Sequence, residues 1–237
     1  MRYMLIYTSD PDLESQWGDE TRAGLSAWLE EAIRTGTGLQ GAGLRPTAEA
    51  VTVKVRGGEL LISDGPYAET KEQVVGYDVI ECASREEAVR WAARHPHSWT
   101  GSAEVRALPD RAPAAPLPEP GDGKVRYLML VCTDPAVDPE EFTRVEPVDP
   151  WVAEMNGRGV RRYGSELEPP GSARTVRVRD EHTLVTDGPF AETKEQIAGF
   201  VVLDCAGLDE AVEVASRHPM ARLGILELRP FKLPKDY

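Results

Sequence analysis

Long apolar runs, an excess of basic residues and paired cysteines are all missing from this chain of 237 residues. No stretch approaches the roughly 20 apolar residues of a membrane-spanning helix. The opening Met1-Arg-Tyr-Met-Leu-Ile-Tyr7 breaks into Thr-Ser-Asp-Pro too soon for a signal peptide. Lys and Arg number 27 against 40 Asp and Glu, and the net charge of -13 argues against both nucleic acid and an anionic membrane surface as partners. A soluble, cytoplasmic protein is the expectation. The three cysteines, Cys82, Cys132 and Cys205, lack CxxC spacing and each ends an apolar run, so they read as buried reduced thiols and not as a zinc site or redox pair. A glycine-rich phosphate loop, a nucleophile elbow and an HExxH motif are absent as well, which sets aside nucleotide enzymes and covalent-nucleophile enzymes. No cofactor and no metal is expected.

What the chain does have is a repeat. Asp64-Gly-Pro-Tyr-Ala-Glu-Thr-Lys-Glu-Gln73 returns as Asp187-Gly-Pro-Phe-Ala-Glu-Thr-Lys-Glu-Gln196, nine of ten positions identical at an offset of 123. The same offset aligns Trp28 to His97 with Trp151 to Met220 without a gap, and upstream, at an offset of 124, Arg2-Tyr3 meets Arg126-Tyr127. A period this long is a whole domain, not a solenoid unit. The sequence therefore divides into copy one over 1–108, a proline-rich linker over 109–124 and copy two over 125–237.

Within a copy the pattern runs strand, helix, hairpin, strand, helix, strand. In copy one these are a strand over 2–8, a helix from an Asp19 cap to Gly36, and a hairpin of 51–55 and 60–63 with a glycine turn. A strand over 74–82, a helix opened by the Ser84-Arg-Glu-Glu87 capping box and a last strand over 102–108 complete it. In copy two the first helix is interrupted, restarting where Asp149 caps and Pro150 follows. This order predicts an α+β fold of two ferredoxin-like units, each an antiparallel sheet with both helices on one face. In copy two Ile197, Ala198, Phe200, Val201, Val202 and Leu203 are apolar on both alternating faces, so the helix-free face also needs a cover. The expected cover is the other copy's sheet, an intramolecular pseudo-dimer. Copy one has Asp78 where copy two has Val201, so the halves need not be equivalent.

The decapeptides supply the candidate site residues. Asp-Gly-Pro is turn chemistry in its own right. The copied polar residues add a functional reading, in which Asp64 and Asp187 face a pocket mouth and Tyr67, Glu69, Lys71, Phe190, Glu192 and Lys194 bind the ligand. His95 and His218 end their helices, where they can complement the helix dipole or serve as acid/base groups beside Asp64 and Asp187. A metal held by Asp64, Glu69 and His95 has no dedicated ligand spacing. His97 and His182 have no counterpart in the other copy and carry no assignment.

With Asp64-Gly-Pro-Tyr and Asp187-Gly-Pro-Phe, the Ala-Glu-Thr-Lys-Glu-Gln that follows and the later Arg-His-Pro, the chain resembles the YCII-related family in its DGPF branch. The resemblance covers both copies and implies the dimeric α+β barrel, two ferredoxin-like units packed sheet to sheet around a small-molecule pocket. It also implies a His-Asp pair, with His early in the first helix and Asp before a proline at the end of the second. Some relatives use it to dehydrochlorinate hydroquinone-type aromatics. Here Asp19 to Gly36 and Glu140 to Gly157 contain no histidine, and His95 and His218 stand where Asp belongs, so that chemistry does not transfer. Two functions remain open. One is small-molecule binding, with or without cofactor-independent lyase or isomerase chemistry by proton transfer. The other is a non-catalytic regulatory or protein-interaction module, linked to a sigma factor as the branch's gene neighbourhoods imply. The chain is a monomer with an internal pseudo-dimer or a homodimer.

Overall fold

A computed structural model describes residues 1–9, 17–68, 72–109, 116–190 and 195–232. The chain forms two antiparallel sheets of six strands each, with helices, as tandem ferredoxin-like domains require. Each sheet belongs to its own compact unit. The first unit comprises 1–43, 70–116 and 167–192, the second 44–69, 117–166 and 193–237.

In the first unit β1 (Arg2–Ser9) lies between β5 (Gln73–Glu81) and β6 (Ser102–Ala107), and β2 (Gly38–Gly43) forms the edge beyond β5. Helix α1 (Asp19–Thr35) buries Trp28 and Ala32, and α2 (Arg85–Arg94) buries Ala88, Trp91 and Ala92. These meet Tyr3, Leu5 and Tyr7, alternate residues of β1 that share one face. The indole of Trp28 donates to Trp91 O at 3.0 Å, so the largest buried ring leaves no polar atom unmade. Helix α3 (His97–Thr100) follows Pro96 directly.

The outer strands of this sheet come from the other repeat. Strand β9 (Arg174–Arg179) pairs with β6, Ala103 opposite Val176 and Glu104 opposite Thr175, and β10 (His182–Asp187) pairs with β9 at the edge. In the second unit β3 (Val51–Arg56) pairs with β12 (Ile225–Pro230), Val53 opposite Leu226, and β4 (Glu59–Asp64) is the edge. The rest of that sheet is β7 (Val125–Cys132), β11 (Ile197–Cys205) and β8 (Arg161–Glu166). Helices α4 (Pro139–Phe142), α5 (Asp149–Gly157) and α6 (Leu208–Ser216) complete the element order. Each repeat thus donates its hairpin to the sheet built by the other. The donated Val53 and Val176 are wholly buried in their host cores, roughly 2 kcal/mol apiece by transfer of apolar surface.

Three local details differ from the sequence expectation. Strands β2 and β8 were not foreseen, because Gly38-Leu-Gln-Gly-Ala-Gly43 has the composition of a loop. Asp19 is the first helical residue and Gly18 the cap, with no side-chain bond. Asp149 likewise follows a Val148 cap. The Ser84 box formed as expected: Ser84 Oγ accepts from Glu87 N at 3.3 Å, while Glu87 reaches back to Ala83 N at 2.8 Å.

Candidate functional site

The Asp-Gly-Pro-aromatic turns anchor the donated hairpins. Gly65 takes a φ of 97° and Gly188 one of 95°, a region open to glycine at little cost. Gly65 N donates to Ala50 O at 2.9 Å, and Thr52 Oγ1 donates to Gly65 O at 2.9 Å. Tyr67 N then donates to Glu227 Oε2 at 2.8 Å. The second copy repeats every contact: Gly188 N to Ala173 O at 3.0 Å, Thr175 Oγ1 to Gly188 O at 2.9 Å and Phe190 N to Glu104 Oε2 at 3.0 Å.

Both accepting glutamates are buried and paired two residues on. Arg106 Nε donates to Glu104 Oε1 at 2.9 Å, and Arg229 Nη1 to Glu227 Oε1 at 3.1 Å, with every partner no more than 1 % exposed. Burial raises the Glu227 carboxyl above its ordinary range, with Arg229 and the Tyr67 N–H pulling it back. Such a pair adds little net stability, but removing one partner strands a buried charge. The glutamates and arginines sit at matching repeat positions, yet in a plain strand pattern they attract no notice.

The sequence-predicted residues fall in different places. Asp64 ends the fully exposed strand β4, and Asp187 ends β10 with its side chain 85 % exposed and 3.1 Å from Arg174 Nε. Tyr67 and Phe190 contribute the backbone donors above. Glu69, Lys71, Glu192 and Lys194 lie outside the described residues. His95 and His218 are buried, at 2 % and 6 % exposure. Burial, with His97 nearby, holds His95 well below the usual imidazole range, and burial together with Arg161 brings His218 down to about 4. Each is a neutral ring whose Nδ1 accepts a backbone N–H two residues on, from His97 at 3.3 Å and from Met220 at 3.2 Å. The hairpin exchange puts Asp187 in the same unit as His95, and Asp64 in that of His218. Among the described residues no hydrogen bond or ion pair joins either couple.

The chemistry in the first unit gathers around His95 instead. Its ring stacks on Tyr7 at 3.8 Å and 12°, and His97 stacks 5.3 Å from it. Trp28 meets His95 edge-on at 4.9 Å, and Trp17 tilts against His97 at 4.5 Å. On β5, opposite Leu5 and Gly41, stands Asp78. A Cβ at position 41 would overlap the Asp78 carboxyl, so the glycine makes room for it. Partial burial lifts this carboxyl to about 7, and the neighbouring Tyr7 hydroxyl offsets part of the rise. Tyr7 itself is pushed well above the usual phenol range by burial and by Asp78. Beside the cluster, sharing Trp28, is an open groove of about 260 Å³ lined by Gly24, Ala27, Trp28, Glu31, Arg94 and Trp99.

The second unit keeps the frame and loses the polar groups. Val131, Val201 and Met220 occupy the positions of Tyr7, Asp78 and His97, while His218, Trp151 and Gly164 match His95, Trp28 and Gly41. Trp151 still meets His218 edge-on at 4.6 Å and donates to Val214 O at 3.1 Å. Tyr7, His97 and Trp28 were missed as site residues by sequence reasoning. The usable signal was the difference between the repeats, not their identity.

Comparison with known proteins gives two matches. The family described as YCII-related domain matches twice, over residues 1–110 and 158–233. An uncharacterized protein of Rhizobium meliloti (strain 1021) is 37 % identical over 114 residues, which cover 46 % of this chain and 92 % of that protein.

Proposed function

Because this chain belongs to the YCII-related family, we propose that it binds a small molecule in its first unit and moves a proton on it, with Asp78 as the acid/base group. The observation that carries this reading is Asp78 itself: a carboxyl brought to about 7, set into the space left by Gly41, at a position the other repeat fills with valine. Near neutral pH such a group is present in both protonation states, so it can take a proton and return it. Tyr7 stays protonated beside Asp78, and neutral His95 supports Tyr7 by stacking. The groove walled by Trp28 and Trp99 suits a ligand with a flat apolar face. Lyase or isomerase chemistry by proton transfer fits this set. Asp64 and Asp187 then serve their turns, and His95 and His218 serve as neutral acceptors.

The test is native mass spectrometry of the chain and of D78N, both purified without added ligand. A small molecule retained by the wild-type chain and lost from D78N supports the reading; the same molecule retained equally by both removes Asp78 from it.

A second reading, a protein-interaction module without chemistry, is favoured by the two edge strands. Leu60, Leu61 and Ile62 of β4 and Leu184 and Val185 of β10 are 42 % to 54 % exposed, more apolar surface than an unpartnered edge ordinarily shows. Capture of one protein partner that is lost on Ile62→Lys or Val185→Lys, with D78N harmless, would favour it over proton transfer.

A further inference from the structure

The segment that carries much of the candidate site is held by the opposite repeat. Arg179 ends β9, the strand that copy two adds to β6. Its Nη1 donates to Ser98 O and Trp99 O, both at 3.0 Å, and its Nη2 donates to Gly101 O at 2.9 Å. These carbonyls close α3, where a helix leaves its last acceptors unmade and a cation is well placed. Helix α3 also begins with His97, whose ring stacks 5.4 Å from Tyr7, and contains Trp99, whose ring packs over Gly24 in the wall of the groove. At the same helix Trp17 Nε1 donates to Thr100 Oγ1 at 3.4 Å.

The second unit supplies an internal control. There Arg56, the copy-one counterpart of Arg179, donates through Nη1 to Ala221 O at 2.9 Å and Arg222 O at 3.0 Å, and through Nη2 to Gly224 O at 2.9 Å. The segment it holds carries Met220 in place of His97, and no acid stands nearby at position 201. The same set of carbonyls is held in both units, beside a polar cluster in the first, while Arg56 in the second also donates to Asp134 Oδ2 at 2.6 Å.

We propose that Arg179 is a positioning residue for the first unit's site: the hairpin donated by copy two sets the segment bearing His97 and Trp99, so the site is complete only while the hairpins are exchanged. The site is thereby built from both repeats and not from copy one alone. This rests on the reading of Asp78, Tyr7 and His95 as the site.

The experiment uses the full chain with Arg179→Ala, Arg179→Lys and Arg56→Ala, followed by NMR of the amides, the His95 and His97 rings and the Asp78 carboxyl carbon. Arg179→Ala should speed amide exchange over the α3 segment about tenfold, the loss of roughly one net hydrogen bond. It should also shift the two histidine rings and move the Asp78 titration toward the ordinary carboxylate range. Arg179→Lys should restore part of this. Arg56→Ala should loosen its own segment, residues 221–224, and leave Asp78 unmoved. A folded Arg179→Ala chain with unchanged rings and an unchanged Asp78 titration overturns the role of Arg179, as does an equal effect from Arg56→Ala. Should Asp78 of the unaltered chain titrate as an ordinary carboxylate, the site reading itself falls, and the exchange data then judge the latch alone.

Discussion

The two units share a frame and differ in what fills it. Both carry a buried Glu-Arg pair that accepts the backbone of an Asp-Gly-Pro turn, a tryptophan tied to the opposing helix, a neutral histidine after the second helix and an arginine latch. Only the first adds Asp78 and Tyr7, with His97 stacked near Tyr7; the second has Val201, Val131 and Met220 there. The shared features all bear on folding and hairpin exchange. The unshared ones have no structural necessity, since valine and methionine fill the same places, and it is among them that the proposed proton-transfer group stands. In this tandem repeat, identity between copies marks the scaffold and divergence marks the proposed site.

The comparison breaks most visibly at the buried pairs. Glu104→Ala and Glu227→Ala should each destabilise by about 3 to 5 kcal/mol, because each strands a buried arginine and a turn N–H. Equal losses in urea unfolding would sustain the symmetry of the scaffold, whereas one silent variant would break it. Asp78→Val, the second unit's residue, should instead stabilise the chain at pH 8 by up to about 4 kcal/mol, with the change fading as the pH falls. The sign follows from the raised carboxyl: the folded state holds its proton up to about 7 while the unfolded chain releases it near the ordinary value of 3.8, so stability declines as pH rises through that window. His218, lowered to about 4 from 6.5, acts oppositely, and its contribution is lost as pH falls between those values. Urea unfolding from pH 4 to 8 separates the two.

A smaller pair of effects belongs to the turn glycines. Gly65→Ala and Gly188→Ala should each cost roughly 1 to 2 kcal/mol, since alanine at positive φ is strained, and thermal unfolding should find them alike. The smallest change is Asp187→Ala, which removes an exposed ion pair with Arg174 and should alter stability by less than about 0.5 kcal/mol. A large loss of stability or of ligand retention in Asp187→Ala would restore the decapeptide aspartate to the site.

Much of the fold was legible because the repeat and the hydrophobic alternation are strong signals. The strands over 2–8 and 74–82, the capping box at Ser84 and the glycine-turned hairpins all follow from residues near one another. The hairpin exchange does not, since periodicity states that 51–55 and 60–63 pair but not which sheet Val53 then joins. Strand β2 was hidden by its glycines, of which Gly41 leaves room for the Asp78 carboxyl. At the site the decapeptide was conspicuous, but its partner carboxylates, Glu104 and Glu227, stand in ordinary strands far along the chain. Asp78 showed in the sequence only as a mismatch with Val201. Its burial against Tyr7, which makes it an acid near neutrality, is a property of packing.

The most direct measurement is the titration of the Asp78 carboxyl carbon by NMR in the full chain, with D78N to assign the signal. A midpoint near 7 is the predicted result, with the Tyr7 ring following the same transition. A midpoint in the ordinary carboxylate range, with Tyr7 indifferent to it, would contradict the claim that the first unit alone keeps a proton-transfer site.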